Sequence, residues 1–457
     1  MAAVSVSGVS ASPIVGKSSS TSPRYKSLDH WRGIACLIVV VYHALLPMCD
    51  QGQPVRKSSA IAILKSSSFE KPADVSKSQP RTIQRNLRNI ICHQLHIGVE
   101  MFFVISGYCI TASAESIRRS GRTVREYFLR RFMRIFPPFW CALIGSVLIC
   151  FAMDFISPGS LKRGPWPLPM PWDLSFFQWV GNATLTETWL GFLTGESKIL
   201  FPIQAWTLCY ETQFYVVIGI LLALSGRRFF QAIAFLTAAV ATIDFLASCH
   251  SIPIRGFLID EHWFMFAAGV GLYWDLHCAT SRQAKVFRML ACLVLVGLTV
   301  LAATTTIFGH GSQFSAWRVV EAMGFAGLLW FLKRYDERID SLTFLNGFKS
   351  CGVICYSIYL THLFPTKFLS QQLAYLGYND DWSIAFVCIP LTLTMSIVAG
   401  YIFHVSAERP FLTGYFELAR KQPHSNAIKT PDTPGETLEF RQLRRATPSN
   451  SSGKKVA

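Results

Sequence analysis

The sequence predicts an all-α, polytopic membrane bundle of about ten spans with both termini in the cytosol, and three observations carry that reading. Of 457 residues, 51% are hydrophobic and only 15% are charged, whereas a soluble chain carries about a quarter charged residues. Apolar runs of membrane length recur near 31–48, 97–114, 136–156, 205–225, 229–247, 257–275, 288–308, 316–333, 351–369 and 383–405. Basic residues gather in every second connection: Arg118, Arg119, Arg122, Arg125, Arg130, Arg131 and Arg134, then Arg227 and Arg228, then Arg282, Lys285 and Arg288. An even number of spans puts both ends on one side, and the positive-inside rule makes that side the cytosol. The formal charge of +16 is therefore topological, and a nucleic-acid partner is not expected.

Taken in order, residues 1–27 read as a flexible, polar, Ser-rich leader with no apolar core of the kind a cleaved signal peptide needs. A membrane domain over 28–412 follows. Its first span, LDHWRGIACLIVVVYHALL, starts with Arg32 and holds His43 eleven residues further on. Eleven steps at ~3.6 residues per turn return to within ~20° of the same face, roughly 16 Å along the axis. One stripe thus carries two ionisable groups with apolar residues between them, and each must face protein, water or ligand. The connection 49–96 would be an outer loop, yet it holds Arg56, Lys57, Lys65, Lys71, Lys77, Arg81, Arg85 and Arg88 against three acidic residues. Its length reduces the weight of that charge in setting orientation.

The second span, HIGVEMFFVISGYCI, buries Glu100 and Ser106, which stand ~240° apart on a helix and so on different faces. The third begins FLRRFMRIFPPFW: Arg131 and Arg134 share a face, and Pro137 with Pro138 is expected to disrupt helix hydrogen bonding just beyond them. Two guanidiniums at a cytosolic mouth can grip phosphates, beside their ordinary role as topological anchors. An outer loop at 157–204 is rich in Pro, Trp and Phe, as suits a segment in the membrane interface. The fourth span, AWTLCYETQFYVVIG, places Tyr210, Glu211 and Gln213 early in an apolar helix, and the ninth carries CYSIYLTHLF with Tyr356, Ser357, Tyr359 and His362. A His with a Glu at comparable depth can transfer protons. The tenth span exits at FHVSAERPF, and 413–457 reads as a disordered polar tail. The thirteen cysteines show no CxxC spacing, so neither a disulfide scaffold nor a metal site is expected. The Asn182-Ala183-Thr184 sequon reads as a chance match.

Six blocks in order, DHWRGIACLIVVVYH, GVEMFFVISGY, RRFMRIFPPFW, WTLCYETQFY, YSIYLTH and ERPF, make the chain resemble the acyltransferase-3 family of integral-membrane acyltransferases over roughly residues 24–412. It departs from the family pattern in carrying Glu100 where Asp is commoner, and in the 49–96 insertion. The resemblance implies transfer of an acyl group, commonly acetyl, from cytosolic acyl-CoA to a hydroxyl of a carbohydrate or glycolipid acceptor. The CoA is a co-substrate and no cofactor is permanently bound. It further implies that Arg32, Arg131 and Arg134 hold the CoA, and that His43 acts as general base or transient acyl carrier. Glu211 or Glu100 would orient His43, and Ser106, Tyr210, Tyr356 and His362 would contact substrate. Without an appended esterase-like domain, the membrane domain is expected to bind the acceptor itself, in the cell (inner or plasma) membrane. A transporter of a small polar or anionic solute is the alternative, but the Arg-to-His helix occurs once and no related halves are evident.

Overall fold

Every regular element among the described residues is a helix, with no strand. The computed structural model describes residues 25–49, 94–162, 167–250, 256, 260–308, 315–378 and 381–412. Most of the 1–27 leader, most of the 49–96 loop and the 413–457 tail lie outside these residues. The helices are α1 (Leu28–Cys49), α2 (Ile97–Arg119), α3 (Val124–Ile156), α4 (Phe176–Thr184), α5 (Glu187–Thr194), α6 (Trp206–Ser225), α7 (Phe229–Cys249) and α8 (Glu261–His277). They continue with α9 (Ser281–Phe308), α10 (Ala316–Leu332), α11 (Asp336–Ser341), α12 (Asn346–Val353), α13 (Cys355–Thr361), α14 (Leu363–Tyr375) and α15 (Ile389–Phe403).

Among the described residues, six helical segments are long and apolar enough to cross a membrane: Leu28–Leu46, Ile97–Arg119, Val124–Ile156, Ile203–Ala247, Ser281–Thr304 and Ile384–Leu412. The sequence led us to expect ten. The difference has local causes. The segment Ile203–Ala247 contains both α6 and α7, which part at Gly226 in a positive-φ turn. Both α8 and α10 stop at 17 residues, and the ninth expected span is divided among α12, α13 and α14. Outward-facing apolar side chains on α3 and α9, such as Leu148, Phe155, Leu293 and Val296, are exposed, as helices bathed in hydrocarbon require.

The core is drawn together by close helix crossings. A Cβ on Gly33 of α1 would collide with Phe348 O of α12, and one on Gly352 with Asp29 O of α1; Gly107 of α2 and Gly269 of α8 stand in the same reciprocal relation. Paired glycines let backbones approach where lipid provides no hydrophobic drive for association. Contrary to expectation, α3 runs through Pro137-Pro138 and continues to Ile156. The Tyr356 hydroxyl of α13 donates to Ile135 O, beside the two prolines, at 2.8 Å.

The chain enters the fold slightly earlier than the leader boundary of 27 implies. Tyr25 is buried and its hydroxyl donates to Leu329 O at 3.0 Å. The Asp336 carboxylate accepts from the backbone N–H of Lys26 and of Ser27 and from the Ser27 hydroxyl at 2.8–2.9 Å, capping the start of α1 from a distant part of the sequence. Burial alone would raise the Asp336 pKa, but the Lys333 ammonium and these N–H donors hold it below the ordinary value. In the 157–204 loop, Ser175 and Gln178 form a reciprocal capping box for α4. The Asn182 amide is spent inside that loop, donating to Gln178 O and Ile199 O and accepting from Phe201 N–H. The sequon's asparagine is thus buried in the fold, although Thr184 is exposed.

Candidate active site

A cavity opens between α1, α2, α3, α6 and α13, and it gathers six of the ten candidate site residues, Arg32, Ser106, Arg131, Arg134, Glu211 and Tyr356, with Tyr359 beside them. The helix periodicities account for this. On α1, Arg32 and Val39 line the cavity, and Arg32 reaches Cys109 of α2. On α2, Ser106 turns to the cavity while Glu100 points elsewhere, as their separation around the helix requires.

The polar contacts run along the cavity wall. Arg32 donates to Asp29 Oδ1 at 2.9 Å, and its other terminal nitrogen lies 3.0 Å from Cys109 Sγ. Arg131 donates to Cys109 O at 3.3 Å and lies over the Tyr215 ring, 5.0 Å from its centroid. Glu211 Oε1 accepts two hydroxyl hydrogen bonds, both of 2.6 Å, from Ser106 and Tyr215. Three guanidiniums therefore face the carboxylates of Asp29 and Glu211, which leaves the wall with a cationic surplus suited to a polyanion.

Val39 of α1 and Tyr359 of α13 line the cavity, and His43 and His362 stand about one helical turn past these two residues on their own helices. The two imidazoles meet edge-on with centroids 5.0 Å apart, and His362 Nε2 lies 3.4 Å from His43 Nδ1. No hydrogen bond joins His43 to Glu211 or to Glu100 among the described residues. Glu211 accepts from Ser106 of α2, three residues from the Cys109 that lies against Arg32, so the carboxylate sits toward the Arg32 end of the cavity and away from the histidines.

Glu100 and Tyr210 belong to a second polar cluster. Glu100 is fully buried and accepts from Arg318 Nε at 2.6 Å, with His96 Nδ1 at 3.3 Å. Arg318 also approaches Glu261 and His262, each at 3.5 Å. His262 bonds Asp260 at 2.9 Å, and the same carboxylate accepts from Tyr210 OH at 2.8 Å. Two groups here could hold a metal ion by distance, His96 with Glu100 and Glu321, and Asp260 with Glu261 and His262, their ligand atoms lying within 4.8 Å of one another. The Arg318 guanidinium already supplies positive charge to both.

Several participants escaped the sequence reading. Tyr215 follows Glu211 by four residues, a helical neighbour that the spacing alone could have identified. Arg318 and Glu321 are ionisable groups three apart in an apolar run, a signal equal in kind to Glu100. Cys109 carries no such mark. A separate, largely apolar cavity lies between α3, α13, α14 and α15, lined by Gly145, Leu360, Phe364 and Phe403.

Comparison with known proteins gives an independent line. A family model described as "Acyltransferase domain" (Acyl_transf_3) matches residues 25–401. "Putative membrane-bound transacylase BcsY" of Komagataeibacter xylinus is 24% identical over 275 residues, covering 58% of this chain and 65% of that protein. An "Uncharacterized protein" of Haemophilus influenzae is 24% identical over 132 residues, covering 29% of this chain and 51% of that protein. The matches thus span about half to two thirds of these relatives' lengths. No solved structure matches the chain. A match over most of the sequence, together with the all-helical fold and its apolar spans, establishes that this chain belongs to the acyltransferase-3 family of membrane acyltransferases.

Proposed function

We propose that the protein moves an acetyl group from acetyl-CoA, bound from the cytosol, to a hydroxyl of a carbohydrate or glycolipid acceptor. The observation that carries this reading is the convergence of Arg32, Arg131 and Arg134 on one cavity whose lining reaches Val39, about one helical turn from His43. Arg134 is exposed while Arg131 and Arg32 are half-buried, a series that would receive CoA phosphates first and its extended arm further in. His43 then removes the acceptor proton. Glu211, held by Ser106 and Tyr215, offers a fixed carboxylate to amide N–H groups of the arm. Glu100 acts at a distance, by fixing α2 through Arg318.

Counting α6 and α7 separately, and adding α8, α10 and the broken α12–α14, brings the six apolar segments to ten. In this topology both termini are cytosolic, in the cell (inner or plasma) membrane, and the basic connections share the donor side. The acceptor would approach by the apolar cavity beside α13 and α14. Gly145 faces open space there, so Gly145→Phe is the substitution that would obstruct it. The reading is tested by transfer of label from radiolabelled acetyl-CoA into lipid or polysaccharide, using membranes that carry the wild-type chain or His43→Ala at equal expression. The variant should lose transfer by about 10²–10⁴-fold. Undiminished transfer would remove His43 from the mechanism, and no transfer from any acyl-CoA would sink the donor assignment.

A further inference from the structure

The two buried imidazoles carry more information than proximity, because their partners fix where the protons lie. His43 Nδ1 is 2.9 Å from Val39 O, and His362 Nδ1 is 2.8 Å from Tyr359 O. A carbonyl oxygen can only accept, so in each neutral ring Nδ1 bears the hydrogen and Nε2 bears the lone pair. The lone pair of His362 Nε2 is directed at the protonated edge of His43, 3.4 Å from its Nδ1. The array runs in one direction. His43 Nδ1–H is shared between Val39 O and His362 Nε2, while His362 Nδ1–H is committed to Tyr359 O. This leaves Nε2 of His43 as a base, with no hydrogen bond to it among the described residues.

We propose that His362 is the positioning residue for His43, filling with a neutral lone pair the place that a carboxylate fills in a Ser-His-Asp triad. The inference rests on His43 being the base of the acyl transfer proposed above. The carboxylates that could have served instead are engaged elsewhere: Glu211 with Ser106 and Tyr215, Glu100 with Arg318 and His96. The site lies deep in the bundle, where His362 is fully buried. A carboxylate there would need its own cation, whereas a neutral acceptor does not. In the transfer step, the acceptor hydroxyl gives its proton to His43 Nε2 and its oxygen forms a bond to the thioester carbonyl carbon. The carbon–sulfur bond then breaks, and the proton passes from Nε2 to the departing CoA sulfur. While Nε2 holds that proton, His43 is a cation. Its Nδ1–H is then a stronger donor, and the His362 lone pair stabilises it.

The test compares two substitutions of similar size, His362→Gln, which carries an amide oxygen acceptor, and His362→Met, which carries none of comparable strength, beside wild type and His43→Ala. Steady-state transfer from acetyl-CoA is measured in full-length protein, with rates normalised to acetyl-CoA binding sites so that misfolded protein does not count. His362→Met should lower kcat by about 10–100-fold with little change in KM for acetyl-CoA, and His362→Gln, which restores an acceptor oxygen, should recover most of that loss. Equal impairment by both, or a wild-type kcat in His362→Met, overturns the positioning role. Transfer that survives His43→Ala, or a wild type with no transfer, overturns the reading beneath it as well, and the His43→Ala and wild-type arms distinguish those failures from one confined to His362.

Discussion

The cavity around Arg131 and the cluster around Arg318 are built from the same residue types, but they differ in charge balance and in space. Arg318 is matched by Glu100 and Glu261 and by the His262–Asp260 pair, and its partners pack tightly with aromatic rings, Tyr210 stacking on His262 at a centroid distance of 4.2 Å. Arg32, Arg131 and Arg134 instead line open space with fewer anions than cations. A buried charge that is fully compensated holds helices together. A surplus of one sign beside a cavity is a place for a ligand of the other sign.

That contrast predicts opposite consequences for similar mutations. Glu100→Ala leaves Arg318 short of its nearest carboxylate and should cost about 3–5 kcal/mol of stability, read as lost folded protein in a detergent thermal-unfolding assay. A Glu100→Ala chain as stable as wild type would erase the distinction. Glu211→Gln should do the reverse, leaving stability within about 1 kcal/mol, because the amide oxygen can still accept from Ser106 and Tyr215. It should lower kcat/KM by about 10-fold through loss of the second carboxylate oxygen and its charge, as measured by acetyl transfer.

Asp336 extends the balanced class to the chain's entry point. Its pKa lies below the ordinary aspartate value of 3.8, so its contribution is present above that value and fades as pH falls through the folded-state value. Stability curves of wild type and Asp336→Asn should therefore stand apart near neutrality and converge in acid, and parallel curves would contradict the assignment. Glu187, in the loop between α3 and α6, is the smallest test and has the opposite sign. Burial raises its pKa from 4.5 to about 7, moderated by the Ile199 N–H donated to it at 2.9 Å. The stability it gives as a neutral acid is complete below 4.5 and lost as pH rises through about 7. Hydrogen exchange at residues 187–199 should accelerate across that interval in wild type and much less in Glu187→Gln.

What the sequence revealed follows from which interactions are local. The common face of Arg131 and Arg134 and the divergence of Glu100 from Ser106 are consequences of helical period, and the fold keeps both, while of the Arg32–His43 stripe only Arg32 lines the cavity and His43 meets His362. Pairings between helices were illegible. Nothing in HIGVEMFFVISGYCI says that Ser106 will meet Glu211, and His43 and His362 are 319 residues apart. Glu100 shows the limit most clearly. Its need for a partner was readable, but the partner is Arg318, in a run read only for its hydrophobicity. The count of spans suffered in the same way, since helix breaks within 346–375 depend on packing that an apolar run does not encode.

The most direct measurement is equilibrium binding of acetyl-CoA to the purified full-length protein, with wild type, Arg131→Ala and His43→Ala side by side. Loss of one charge-assisted contact should weaken binding by Arg131→Ala about 10–100-fold, while His43→Ala binds as wild type does. Unchanged affinity in Arg131→Ala would contradict the claim that the cationic cavity is the donor site.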